Sequence, residues 1–216
     1  MLSRLLDRLA GSAGSADDLP MLFSRLPRLE TERLVLRSAV MGDAEDIYAY
    51  ASDPEVARAV LWEAHRSLAD SRDYIRYLRS QYHSGQPSNY VIVLKETGRV
   101  IGTIGFMQWY PEHGVVEVGY SIGRAWWGQG IAAEALRRFL ALCFAQPSIL
   151  RVEAMHETDN PASGRVMEKC GMRREGVLRQ RISNKGRQVD VAMWAILRED
   201  WLCLQHGGAE AQRLLR

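Results

Sequence analysis

Ser121-Ile-Gly-Arg-Ala-Trp-Trp-Gly-Gln-Gly130 leaves a strand-like run and enters a helix-like one, and its small residues decide what chemistry it can do. Amides at a helix start lack intrahelical partners and carry the positive end of the helix dipole. Gly128, Gly130 and Ala132 let an anion come close to those amides, as a pyrophosphate would. Two other phosphate loops fit poorly. A Walker loop ends in Gly-Lys-Ser/Thr, whereas Gly130 is followed by Ile131 and Ala132. A dinucleotide loop, whose third small residue Ala133 could supply, expects a parallel strand–helix–strand unit, and the strands before this turn read as antiparallel. Taken alone, the turn also reads as a tight strand–helix corner with no ligand.

Other residues able to do chemistry flank it. Alternation over Val115–Ile122 puts Val116, Val118 and Tyr120 on one face and Glu117, Gly119 and Ser121 on the other, so Glu117 either faces a cleft or is a surface carboxylate. Asn160-Pro161 reads as an N-cap with proline at the first helical position. Cys143, Cys170 and Cys203 are far apart, and no Cys-x-x-Cys or His/Cys ligand pair occurs, so no metal site is expected.

These residues need elements to position them. Alternation over Thr31–Ser38 predicts a strand, Asp43 an N-cap for a helix to about Ser52, and Ser67 with Asp70 the start of a second helix ending at Gly85. Tyr90–Lys95, Val100–Gln108 and Val115–Ile122, separated by turns, predict an antiparallel meander. Ile131, Ala135, Leu136, Phe139, Leu140 and Cys143 recur at helical spacing until Pro147. Leu150–His156 predicts a strand, Asn160–Cys170 a helix closed by Gly171, and Asn184-Lys-Gly-Arg187 a hairpin loop between two further strands. The class is mixed α/β around a largely antiparallel sheet.

A chain of 216 residues with 47% hydrophobic and 25% charged residues suits one soluble domain. The net charge of +2 points to neither nucleic acid nor a membrane surface, and no apolar stretch nears the roughly 18 residues a bilayer span needs. The unpaired cysteines fit a reducing, cytoplasmic setting. Residues 1–27 read as an extension and linker, 28–204 as the folded domain and 205–216 as a tail.

The order of elements and three motifs resemble the GNAT acetyltransferases, the RimJ/RimL-type branch in particular. The motifs are Glu117-Val-Gly-Tyr-Ser-Ile122; Trp127-Gly-Gln-Gly-Ile-Ala132 followed by Glu134-Ala-Leu136; and Asn160-Pro-Ala-Ser163 followed by Glu168-Lys-Cys-Gly-Met172. The resemblance implies a mixed, mostly antiparallel seven-stranded sheet, splayed after the fourth strand and flanked by about four helices. It implies acetyl-CoA as co-substrate, held by Ile122, Trp127, Gly128, Gln129, Gly130, Ile131, Ala132, Asn160, Ser163 and Lys169. Trp127 replaces the polar first residue of the family's loop. Glu117 is implied as general base and Ser163 as donor to the departing sulfur. Many relatives carry an acidic tyrosine seven residues after the asparagine; here that position is Met167. The implied acceptor is a primary amine, such as the N-terminus of a ribosomal or other protein. Trp109, Tyr110, Glu112 and His113, on the turn before the Glu117 strand, are candidates to line its entrance or form an exposed hairpin tip. Tyr120 is a candidate substrate contact that also reads as a core aromatic or cofactor wall. Small-molecule amines and a non-catalytic acyl-CoA-binding module remain alternatives, as do a monomer and a homodimer.

Overall fold

The computed structural model describes residues 19–205. The reading of residues 1–18 and of the tail past 205 lies outside the described residues. The strands are β1 (Leu29–Glu30), β2 (Leu34–Arg37), β3 (Asn89–Leu94), β4 (Val100–Tyr110), β5 (Val115–Ile122), β6 (Arg151–Glu157), β7 (Arg173–Asn184) and β8 (Arg187–Leu197). The helices are α1 (Leu19–Ser24), α2 (Ala44–Ala51), α3 (Pro54–Ala57), α4 (Leu68–Ser84), α5 (Ile131–Phe144), α6 (Pro161–Lys169) and α7, at 198–205.

The strands form one sheet in the order β1-β2-β3-β4-β5-β6-β8-β7. Every neighbouring pair is antiparallel except β5 with β6. The expected class holds, with one more strand than expected, because Leu29 and Glu30 pair with Leu36 and Val35 as a two-residue edge. Seven helices, rather than about four, appear among the described residues; α1 and α3 are too short to give a clear period.

The break in the sheet matters most. β5 and β6 share only three rungs, Val115 with Arg151, Val116 with Val152 and Glu117 with Glu153, although the strands are eight and seven residues long. Past Glu117 they diverge, and the backbone of β5 on that side has no sheet partner among the described residues. The expected splay is here.

Helix α5 closes one face. Its stripe of Leu136, Phe139, Leu140 and Cys143 is fully buried, and Phe139 packs on Phe106 and Tyr90 at ring separations of 4.7 and 5.7 Å. Each such side chain contributes on the order of 1.5–3 kcal/mol by leaving water. The helix ends at Phe144, before Pro147 can disrupt it. Helix α4 starts and stops as expected: the Asp70 carboxylate accepts from the amides of Arg66 and Ser67, and Gly85 takes the left-handed conformation at φ +63°.

Two expectations need correction. Packing begins well before Arg28: Leu19 and Phe23 are 1% and 2% exposed, and the Phe23 ring meets Phe106 edge-on at 4.9 Å. A six-residue helix holds too few turns for its apolar spacing to stand out. Asp43 does not cap α2 with its side chain. It accepts from the Val40 amide and pairs with Arg37 at 2.7 Å, tying down the short turn Met41–Asp43 instead.

Candidate active site

The glycine turn starts as a single 3-10 turn, Arg124–Trp126, and ends where α5 begins. Gly128 and Gly130 both have left-handed backbones, at φ +74° and +75°. A Cβ at Gly128 would touch nothing within 4 Å, so glycine is needed there for its backbone angle, and the space beside it stays open. The turn is held from outside. Glu134, in the first turn of α5, accepts from Thr31 Oγ1 at 2.6 Å, Arg33 N at 3.0 Å and Arg33 Nε at 2.7 Å. Arg33 also donates to the Gln129 carbonyl at 3.1 Å. Burial alone would raise the Glu134 pKa, but the hydrogen bonds from Thr31 and Arg33 outweigh it and hold the carboxyl below its ordinary range. A fixed negative charge in the first turn also suits the helix dipole.

This turn forms one wall of a cavity of about 420 Å³ that lies along the splay. Gly128, Gly130, Ile131 and Ala132 line that wall, Tyr120 and Ile122 the end of β5, Asn160 and Ser163 the start of α6, and Val56 and Arg58 the side of α3. The donor set fits a pyrophosphate: a 14-residue helix presents its N-terminal amides beside two glycines, Gly128 with open space at its Cα and Gly130 with the Arg33 guanidinium 3.7 Å from where a Cβ would lie. Arg165 and Lys169, four residues apart on α6, also line the cavity, and neither forms an ion pair among the described residues. Arg58 is instead engaged by Asp159 at 3.4 Å and Glu55 at 3.9 Å. Sequence reasoning missed the α3 wall; its only signal was Asp53-Pro54, whose carboxylate accepts from the Glu55 amide at 3.0 Å.

Several expected cofactor residues behave differently from one another. Trp127 lines the cavity, but its Nε1 donates to the Ile122 carbonyl at 2.6 Å and the side chain is half exposed. Gln129 turns away, donating to the Ala125 carbonyl at 2.9 Å, and is absent from the lining. Asn160 makes no side-chain cap hydrogen bond, contrary to the N-cap expectation; its carbonyl accepts from the Ser163 amide at 3.2 Å. With φ −112° and ψ 64° its backbone departs from the extended geometry typical of such caps, which leaves the residue on the cavity wall instead.

α6 comes close to the sheet because Gly164 has no side chain: a Cβ there would lie 2.7 Å from His156 Nε2. That approach brings Ser163 Oγ to 2.9 Å from Tyr120 Oη, which lies equally close to the Ser163 carbonyl oxygen. Tyr120, a candidate for the acceptor site, thus lines the same cavity as the glycine turn. Met167 is 2% exposed and turned into the core.

Glu117 occupies the last rung before the splay, outside the cavity lining. Its partners in register are Gln108 on β4 and Glu153 on β6. Burial and then the Glu153 carboxylate push its pKa up, while Arg181 pulls the other way. Glu153 is held by Arg151 Nε at 3.0 Å. Such a carboxylate is a stronger base than an exposed glutamate. Of the other acceptor candidates, Tyr110 pairs with Val115 and so shares the face of Glu117, whereas Trp109 pairs with Val116 on the opposite face. No group of three metal-ligating side chains occurs among the described residues, and none of their helices is long and apolar enough to cross a membrane.

The family description "Acetyltransferase (GNAT) domain" matches residues 33–173. The chain is 35% identical over 173 residues to the uncharacterized N-acetyltransferase p20 of Bacillus licheniformis, covering 80% of this chain and 97% of that protein. It is 30% identical over 84 residues to the ribosomal protein uS5-alanine N-acetyltransferase of Escherichia coli, covering 39% of this chain and 43% of that protein. Among solved structures, a GNAT-family acetyltransferase from Bacillus anthracis superposes with a TM-score of 0.71 at 28% identity, over 80% of this chain and 99% of that one.

Proposed function

The chain belongs to the GNAT family of N-acetyltransferases, and from that premise we propose that it moves the acetyl group of acetyl-CoA onto the α-amine of a protein N-terminus. One observation carries the reading. The glycine turn, the hydroxyl of Ser163 and the unpaired backbone edge of β5 border one cavity, and Glu117 sits on the rung where that edge begins. Acetyl-CoA supplies an activated thioester when bound; the rest is the chain's own work.

The amides at the start of α5, helped by Arg165 and Lys169, bind phosphate groups. The free backbone amides of β5 polarise the acetyl carbonyl, a role in which a single pre-aimed donor is worth roughly 3–4 kcal/mol. Glu117 takes the proton of the attacking amine, directly or through a water, and its raised pKa matches it to that task. Ser163 donates to the departing sulfur. An α-amine, with a pKa of about 7.7–8.0 against about 10.4 for a lysine, is neutral in useful amounts at neutral pH and demands least of Glu117. The likeness to the uS5-alanine enzyme supports a protein N-terminus as acceptor.

The test is acetyl-CoA turnover against a panel of N-terminal peptides, polyamines, amino acids and aminoglycosides. Preferential acetylation of peptide α-amines is expected. Turnover confined to small amines overturns the acceptor assignment. Tight CoA binding with no turnover of any amine points to the binding module and overturns the enzymatic reading.

A further inference from the structure

We infer that the proton delivered to the departing sulfur originates on Tyr120 and reaches it through Ser163, an inference that rests on the acetyl-transfer reading above. The two residues are 43 positions apart and come from different elements, β5 and α6, yet their hydroxyl oxygens are 2.9 Å apart on the wall of one cavity. The Tyr120 hydroxyl has two acceptors at 2.9 Å, Ser163 Oγ and the Ser163 carbonyl oxygen, so its proton passes to Ser163 Oγ by rotating away from that carbonyl, and neither hydroxyl has a partner on any third residue among those described. The helix itself offers no alternative acid at the position seven residues after Asn160, because Met167 is buried in the core.

A serine alone is a poor acid here. Giving up its proton leaves an alkoxide, which is far more basic than the thiolate it neutralises. A phenol brings the two into range, with an unperturbed pKa of about 10 against about 8.5 for a thiol. Burial raises the Tyr120 pKa, with the Ser163 hydrogen bond offsetting part of the rise, so the phenol holds its proton in the resting site as a weaker acid than a free phenol, though a stronger one than the serine hydroxyl. The pair therefore joins the serine hydroxyl on the cavity wall to a more acidic hydroxyl beside it.

The step balances. As the carbon–sulfur bond of the thioester breaks, its electron pair goes to sulfur. Ser163 Oγ gives its proton to that sulfur, and Tyr120 Oη gives its own to Ser163 Oγ. The charge ends on the Tyr120 oxygen, which regains a proton from water, while Glu117 releases the amine's proton to water.

Tyr120→Phe removes the proton source and keeps the ring. Measured on the full chain, kcat should fall about 100-fold, within the range of general acid–base catalysis, while the KM for acetyl-CoA moves by less than about twofold. Ser163→Ala should cost about as much, and the double variant should be no slower than the slower single one, as for groups acting as a unit. Incorporating 3,5-difluorotyrosine at position 120, a more acidic phenol of nearly the same shape, should restore turnover relative to phenylalanine and move the alkaline limb of the kcat profile to lower pH. A Tyr120→Phe enzyme with wild-type kcat, a loss confined to KM, or an alkaline limb indifferent to fluorination would each overturn the relay. A wild-type chain that turns over no amine overturns the acetyl-transfer reading itself; turnover that survives Tyr120→Phe overturns the relay alone.

Discussion

Glu117 and Glu153 stand side by side on the last rung that joins β5 to β6, one rung short of the gap. Their relationship is unequal. Glu153 has Arg151 as a close partner, whereas Glu117 has the more distant influence of Arg181 against the effects of burial and of Glu153 itself. Arg151 is shared with Glu175, so the Glu153 charge is only partly offset and still raises the Glu117 pKa.

The sign of the pH dependence follows. In the proposed role Glu117 acts as a base when ionised, so its raised pKa should move the acid limb of kcat upward from that of an ordinary carboxylate. Glu153→Gln removes the neighbouring negative charge, so the limb should move to lower pH. Arg181→Ala removes the countering positive charge, so the limb should move to higher pH. Steady-state profiles of the two variants check this, and shifts of the same sign would contradict the assignment.

The clamp on the glycine turn gives a binding prediction. Arg33→Ala removes the guanidinium donors to Glu134 and to the Gln129 carbonyl, while Thr31 Oγ1 and the residue-33 amide still reach Glu134. Arg33 is 42% exposed on its side chain, so the stability loss should stay near 1 kcal/mol. CoA affinity should weaken several-fold, by the same order of free energy, because the amides proposed to face the phosphates lose their support. Thermal melts and calorimetric titration separate the two effects.

Lys185 ties the β7–β8 hairpin to the opposite wall of the cavity. Its Nζ donates to the carbonyls of Ala57 at 2.6 Å and Val60 at 2.8 Å, at the end of α3. Lys185→Met should cost about 1–2 kcal/mol. It should also raise the KM for acetyl-CoA more than it lowers kcat, since α3 borders the cavity while Glu117 lies outside it. A kcat-only effect would contradict that role.

Much of this site is legible in the amino-acid order. The turn to Gly130 and the apolar stripe of α5 are local patterns, so neighbouring residues alone spell out a strand–turn–helix corner. The β5 alternation likewise separates Glu117 from Tyr120, and the register agrees. What escapes is set by distant contact. Nothing near Tyr120 announces Ser163, since their meeting depends on the space beside Gly164. Asn160 before a proline reads as a cap because that is what the dipeptide favours, and only the tertiary arrangement places it on the cavity wall without a capping bond. Leu19 and Phe23 are core residues whose short helix is too brief to show a period.

Gly130→Asp should abolish measurable CoA binding. It puts a branched, charged side chain at a left-handed position beside the phosphate cradle, where both backbone strain and charge repulsion oppose the ligand. A calorimetric titration of the folded variant with unchanged affinity would remove the cofactor from this turn.

The central claim is that Glu117 is the base for acetyl transfer at the splayed edge, and Glu117→Gln tests it most directly. The substitution keeps size and hydrogen bonding but cannot take up the amine's proton. With a peptide that the wild type acetylates, kcat/KM should fall about 10²- to 10⁴-fold while the Kd for CoA is unchanged. Turnover by Glu117→Gln at the wild-type rate would contradict the account.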